Sequence, residues 1–213
     1  MNFSSFLNAT SKIKHLDLLG EASHAKMSPP YRVELAKLLE ENRTKAKNAG
    51  VMALFYPNVE KQTQLVLILR KAYKGVHSAQ IGFPGGKFER GDKDLLYTAL
   101  RETKEEIGVE ISKQNVVKAL SPLYIPPSNF IVHPFLGLIE ETPSFYKQED
   151  EVEDILEVGL LDFLNEKNCV TTKVSTSYKM KVDVPAFNFN GHIVWGATAM
   201  MLSELKDLLK QVL

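Results

Sequence analysis

The stretch Gly85-Gly86-Lys87-Phe88-Glu89-Arg90-Gly91-Asp92, followed by LLYTALRETKEEIGV over residues 95–109, decides the reading of this chain. Two adjacent glycines permit a turn closed to other residues and let the backbone come close to a bound phosphate. The segment behind them is predicted to be a helix over about 93–107, capped by Asp92 or Asp94 at its start and by a left-handed Gly108 at its end. On that helix Glu102, Glu105 and Glu106 stand at i, i+3 and i+4, which sets neighbouring side chains roughly 5–6 Å apart. Like charges so placed repel by a few tenths of a kcal/mol per pair in water. A hard divalent cation among the oxygens removes that repulsion, and Mg²⁺ favours carboxylates, retained waters and substrate phosphates. The pattern therefore points to metal-dependent chemistry on phosphate esters or anhydrides. The alternative is a solvated acidic face partnered by Lys93, Arg101 and Lys104.

Within this frame Glu102 and Glu106, one helical turn apart, are the first-choice metal ligands. Glu105 lies on their flank, either as a third ligand or as the base that takes the proton of water. Arg101 sits at i, i+4 from Glu105 and is expected to hold that carboxylate in place, against a reading as an ordinary surface ion pair. Asp92 is expected to be structural, capping the helix or accepting from loop amides. Upstream, Arg70, Lys71, Lys74 and His77 gather fixed and titratable positive charge within KAYKGVHSAQ and the residue before it, and Gln80 adds a hydrogen-bonding group. A substrate with phosphates beside the cleaved bond would use these cations; the alternative is a solvated basic loop. The acidic run over 149–154 reads as a solvated helix start favoured by the helix dipole. Pro126 to Phe130 is a candidate substrate wall, whereas His133 and Trp195 carry no pattern above core packing.

Lys+Arg and Asp+Glu both number 26, so no global basic field suggests nucleic acid, and a phosphate must be met by a local patch. A single cysteine, Cys169, excludes an internal disulfide and suggests a reducing compartment. With no secretory pattern in MNFSSFLNATSKIKHL, a cytoplasmic location is expected. Apolar runs are far shorter than the roughly 20 residues of a membrane span.

Residues 1–47 read as a helical extension, with one short helix carrying Phe3, Phe6 and Leu7 and, after Pro29-Pro30, a second from Tyr31 to Lys47 with Val33, Leu35, Leu38 and Leu39 on one stripe. They are expected to pack on the core, the alternatives being a lid over substrate or a contact in a homodimer. From Gly50 the period shifts to strands: 51–57 and 64–70 joined by a hairpin-like turn, then 116–124, 130–140 and 173–190. Residues 192–213 open as a strand and end as an amphipathic helix. Alternating strands and helices make the chain α/β or α+β.

The glycine turn and the carboxylate helix together resemble the Nudix hydrolase family. Its signature runs Gly, five residues, Glu, seven residues, then Arg-Glu-apolar-x-Glu-Glu-x-Gly-apolar. Gly86 opens it here, and Arg101-Glu102-Thr103-Lys104-Glu105-Glu106-Ile107-Gly108-Val109 closes it. Asp92 replaces the middle acid, eight residues rather than seven precede Arg101, and Thr103 replaces an apolar residue. The Asp and the extra residue look like the branch that hydrolyses coenzyme A. That branch has a second signature upstream, matched here by Arg70, His77, Gln80, Phe83, Pro84, Gly85 and Gly86 and altered at Ile68, Lys71, Lys74-Gly75 and Ala79.

The resemblance implies a Nudix fold over 48–213, an α/β/α sandwich around a mixed sheet, with Mg²⁺ or Mn²⁺ as cofactor. It implies the same carboxylates as ligands, with the Gly86 carbonyl joining them and Glu89 either a further ligand or a plain loop charge. It also implies a base drawn from outside the signature, such as Glu151 or Glu153, as the alternative to Glu105, and the loop from Arg70 to Gln80 with Gly85 and Gly86 as the substrate-recognition element. The expected substrate is a small molecule, coenzyme A or acyl-coenzyme A, cut at its pyrophosphate, with neither nucleic acid nor membrane as partner. Two rivals remain at this point: a Nudix hydrolase of ADP-ribose or NADH, and a non-catalytic nucleotide-binding module.

Overall fold

The computed structural model describes residues 1–72, 80–175 and 181–213. The chain opens with helices α1 (Phe3–Thr10), α2 (Glu21–Lys26), α3 (Arg32–Leu38) and α4 (Glu40–Arg43). Strands β1 (Lys47–Pro57), β2 (Thr63–Arg70), β3 (Ile81–Gly82) and β4 (Gly85–Lys87) follow, then the 13-residue helix α5 (Leu95–Ile107). Next come β5 (Val116–Ala119), β6 (Leu123–Ile125), β7 (Phe130–Leu138), β8 (Val152–Gly159) and α6 (Leu160–Leu164). The antiparallel pair β9 (Cys169–Ser175) and β10 (Lys181–Phe189), then β11 (His192–Trp195) and α7 (Gly196–Leu209), follow.

β1 runs parallel to β7 over its length, while β2, β4, β5, β6 and β8 join antiparallel, so the large sheet is mixed. The other edge of β1 is shared: Phe55 to Pro57 pair with β2, and Ala49 to Val51 pair with Lys87 to Gly85 of β4. That register lays the glycine turn against the first half of β1. β1 and β2 read as unbroken apolar runs because both faces of the sheet are covered. Ala53, Phe55, Leu65 and Leu67 point to a core shared with α1, α6 and α7. Met52, Leu54, Tyr56, Val66 and Ile68 point to a second core under α5. This is the α/β/α sandwich expected from the sequence.

Three expectations need correction. The second N-terminal helix stops early: α3 and α4 meet at Leu39, and Lys47 already pairs with Phe130 in the sheet. Its stripe is not a buried one, since Val33 and Leu38 are 61% and 78% exposed. The acidic run leads into a strand, not a helix. Leu156 and Val158 are buried on the face shared with α7, Val152 is buried on the opposite face under α5 after a register shift, and β8 pairs along β2, so strand pairing and burial outweigh the local charge pattern. The segment over 173–190 is two antiparallel strands rather than one.

The N-terminal helices are bound into the sandwich by core contacts and polar ties. Phe6 is fully buried with its ring 5.0 Å from that of Phe55. Glu204 of α7, buried, accepts from Gly20 N at 3.0 Å, Ser121 N at 3.0 Å and Ser121 Oγ at 2.5 Å, and lies 3.4 Å from His24 Nε2. Asp207 accepts from Ser23 Oγ and Lys26 Nζ at 2.5 and 2.8 Å.

Candidate active site

Gly50 explains how α5 reaches the glycine turn. A Cβ there would lie 2.2 Å from Leu95 O and 3.0 Å from Ala99 N, so the helix rests directly on the backbone of β1. Asp94 caps α5 by accepting from Tyr97 N at 2.6 Å, and Gly108 closes it at φ 74°, as the sequence suggests. Thr103, the polar residue at an apolar signature position, is buried and returns its hydroxyl to Ala99 O at 2.6 Å.

Docked this way, α5 sets Glu102 and Glu106 against Gly85 and Gly86. A Cβ on Gly86 would stand 2.3 Å from Glu102 Cδ, so only glycine leaves room for that carboxylate. Gly85, at φ 146°, donates its N–H to Glu106 Oε2 at 2.7 Å. Arg70 reaches in from β2, donating to Gly85 O at 2.5 Å and lying 3.2 Å from Glu106 Oε1. That second contact is close enough for an ion pair, yet Glu106 Oε1, buried, has no aligned hydrogen-bond donor. Burial pushes the Glu106 carboxyl up to about 7, against the pull of Arg70 and the Gly85 amide and with the push of Glu102 and Glu151. Burial also raises Glu102, which Arg101 opposes and the charges of Glu105 and Glu151 reinforce.

Arg101 organises the rest. It donates to Asp92 through Nε and Nη2 at 2.9 and 3.0 Å, to Glu102 at 2.9 Å and to Glu105 at 3.1 Å. Asp92, buried, also accepts from Glu89 N at 2.9 Å and Thr98 Oγ1 at 2.8 Å. Asp92 thus clamps loop, helix and arginine together, and the Arg101 hydrogen bonds first, then the Glu89 amide and Thr98, hold its carboxyl down at about 2.

Among the described residues no three of His, Cys, Asp and Glu converge as a ready-made metal cage, with Arg101 bridging Glu102 and Glu105. Mg²⁺ does not require one: it is bound by one or two carboxylates, waters and the phosphates of its substrate. The donor set fits such a cation. A buried carboxylate oxygen without a hydrogen bond and two carboxyls lifted by burial are groups that a dication stabilises.

Beside this cluster opens a cavity of about 390 Å³. Gly85, Gly86, Arg70 and Gln80 line it on the site side, and Pro126, Pro127 and Phe130 form part of its wall. Trp195 at the end of β11 and Thr198 in the first turn of α7, with Tyr31 and, from α3, Arg32 and Leu35, line it as well. The sequence reading named none of these five as site residues, although it kept a lid over substrate as an alternative for the helix beginning at Tyr31. Trp195 at a strand-to-helix junction was the one available signal; nothing local marks Arg32. Lys71 stands outside the lining and ties its backbone N–H to Glu151 O at 2.9 Å. Glu105 and Glu89 are exposed, and of the two acids proposed as a distant base it is Glu151 whose charge reaches Glu102 and Glu106. Lys74 and His77 lie outside the described residues.

Fold and site define a Nudix hydrolase: the family model described as NUDIX domain matches residues 46–171, and the chain belongs to that family. The mitochondrial coenzyme A diphosphatase NUDT8 of Mus musculus is 34% identical over 162 residues, spanning 75% of this chain and 72% of its own. The NUDT8 of Homo sapiens is 32% identical over 136 residues, or 63% and 58% of the two chains. The Nudix hydrolase NudL of Yersinia enterocolitica is 29% identical over 166 residues, or 74% and 80%. A crystal structure of a MutT/nudix family protein from Enterococcus faecalis shares the fold, with a TM-score of 0.55 at 18% identity over 96% of this chain and 74% of that one.

Proposed function

We propose that this Nudix pyrophosphohydrolase cleaves the pyrophosphate of coenzyme A or acyl-coenzyme A, with Mg²⁺ or Mn²⁺. The products are adenosine 3′,5′-bisphosphate and 4′-phosphopantetheine or its acyl form. The observation that carries the reading is the continuity of one cavity with the site: Gly85 and Gly86, beside the buried carboxylates, line the same hollow as the apolar Ile125, Phe130 and Met201. A charged anhydride with a bulky group on one side matches that division, and the similarity to coenzyme A diphosphatases agrees with it.

Glu102 and Glu106 would hold the divalent cation, with Gly86 O, Glu105 and Glu89 as the further candidates. The cation, when bound, neutralises phosphate charge and lowers the pKa of water. Gly85 and Gly86 let the pyrophosphate approach the backbone. Arg101 keeps Glu102 and Glu105 in place, itself held by Asp92. A base accepts the proton of the attacking water, Glu105 and Glu151 being the exposed carboxylates whose charges bear on Glu102. Arg70 balances charge at Glu106.

The test is incubation of the protein with Mg²⁺ or Mn²⁺ and coenzyme A, with ADP-ribose and NADH in parallel, products identified by mass. Adenosine bisphosphate and phosphopantetheine, lost with chelator, are the expected products. Cleavage of ADP-ribose or NADH alone would overturn the coenzyme A assignment while leaving the family chemistry intact.

A further inference from the structure

Among the described residues, Arg32 is the arginine of the cavity that no carboxylate claims. Arg70 is paired with Glu106, and Arg101 with Asp92, Glu102 and Glu105. Arg32 reaches the cavity from α3 and donates to Tyr124 O through Nη2, and among the described residues no carboxylate lies within ion-pairing range of it. It is partly buried, and burial lowers its pKa from the ordinary arginine value, with Tyr31 opposing. A cation withdrawn from water without a counter-ion is costly, and an entering anion relieves that cost. Arginine presents five N–H donors in a planar fork, and one contact to Tyr124 leaves most of them for a ligand.

We propose that Arg32 is a specificity-determining residue that recognises a phosphomonoester carried by the substrate beyond its anhydride, and so seats the nucleotide half of the substrate in this cavity. Resting on the coenzyme A reading above, the group is the 3′-phosphate of the ribose. The pyrophosphate belongs with the glycine turn and its carboxylates, whereas Arg32 comes from a different element lining the same cavity. A phosphomonoester brings close to two negative charges and three acceptor oxygens, which suit a bidentate guanidinium. The aromatic side chains of Phe130 and Trp195 line the same hollow and offer flat apolar surface to a base. The acyl arm then lies on the other side of the pyrophosphate, outside this cavity.

The experiment compares kcat/KM for coenzyme A and for dephospho-coenzyme A, which lacks only the 3′-phosphate. In Arg32→Met the ratio of the two is expected to fall about ten- to hundredfold, mainly through KM for coenzyme A, the range of a charge-assisted contact. Arg32→Lys, which keeps charge but not the fork, should retain part of the ratio. A role confined to bracing Tyr124 would lower both substrates in parallel and leave the ratio unchanged, which overturns the proposal. Product inhibition of the unaltered protein gives a readout independent of folding. Adenosine 3′,5′-bisphosphate should inhibit at least about tenfold more tightly than AMP, and equal inhibition overturns the assignment. Failure of the unaltered protein on both coenzyme A forms, with turnover of ADP-ribose or NADH, would instead remove the coenzyme A reading and Arg32's assignment with it.

Discussion

Asp92→Asn tests the clamp that holds the site together. The aspartate accepts four hydrogen bonds while almost wholly buried, two of them from Arg101. Asparagine keeps the shape but carries no charge and turns an NH₂ toward groups that are all donors. The Asp92 carboxyl stands at about 2 instead of the ordinary 3.8, which converts to about 2–3 kcal/mol at 1.36 kcal/mol per pKa unit. Hydrogen bonds to charged groups, at about 1.5–3 kcal/mol each, give the same order. The variant should therefore lose about 2–3 kcal/mol at pH 7, a fall in Tm of roughly 5–10 °C for a chain of this size. The sign with pH follows from the depressed carboxyl. Its contribution is full above the unfolded pKa near 4 and disappears as pH falls through about 2. Urea titrations of both proteins at pH 7 and at successive steps below pH 4 should show the gap closing. A gap under about 0.5 kcal/mol at pH 7, the range of an ordinary surface change, or one that stays constant into acid, would refute the reasoning.

Glu106→Gln keeps the acceptor facing the Gly85 amide but removes the buried charge, so turnover should fall beyond the roughly 10–100-fold loss typical of a supporting residue, with circular dichroism unchanged; near-normal turnover would sink its assignment as a ligand. Gly86→Ala places a Cβ 2.3 Å from Glu102 Cδ, so Glu102 must move: activity should drop sharply while Tm changes little, and a fully active variant would separate Glu102 from the chemistry. Phe6→Ala should cost about 3–5 kcal/mol, the range of a deleted core aromatic, measured as a shift in urea midpoint; a loss below about 1 kcal/mol would mean that α1 is not part of the cooperative core.

Legibility in the sequence followed the range of the interactions. The α5 helix, its Gly108 cap, the glycine turn and the three carboxylates were readable because spacing on one helix is local and its geometry fixed. The roles of Asp92 and Arg101 were partly readable, since the i, i+4 partner Glu105 is local, whereas the Arg101–Asp92 contact spans nine residues across a loop. The pairing of Arg70 with Glu106 depends on sheet register and on where α5 lands, and neither is written locally. The acidic segment ahead of β8 was misread because charge near a helix start and charge on an edge of a strand look alike until β2 supplies the partner. Trp195 and Arg32 fall in the same class. Each has an ordinary neighbourhood in sequence and becomes notable only when α3, β7 and α7 enclose one cavity.

The ties between Gly20 and Glu204, and between Ser23 and Asp207, join positions 184 residues apart. During synthesis at about 5–20 residues per second, the segment from α1 to α2 waits on the order of 10–40 s before α7 is made. Phe3 and Phe6 therefore spend that interval without part of their final cover, although Phe55 arrives early. Closing so long a loop comes late in assembly, after the central sheet has supplied a surface on which to close it. The carboxylate helix and its glycine turn lie wholly inside that loop, so the catalytic half can gather before the two ends of the chain meet.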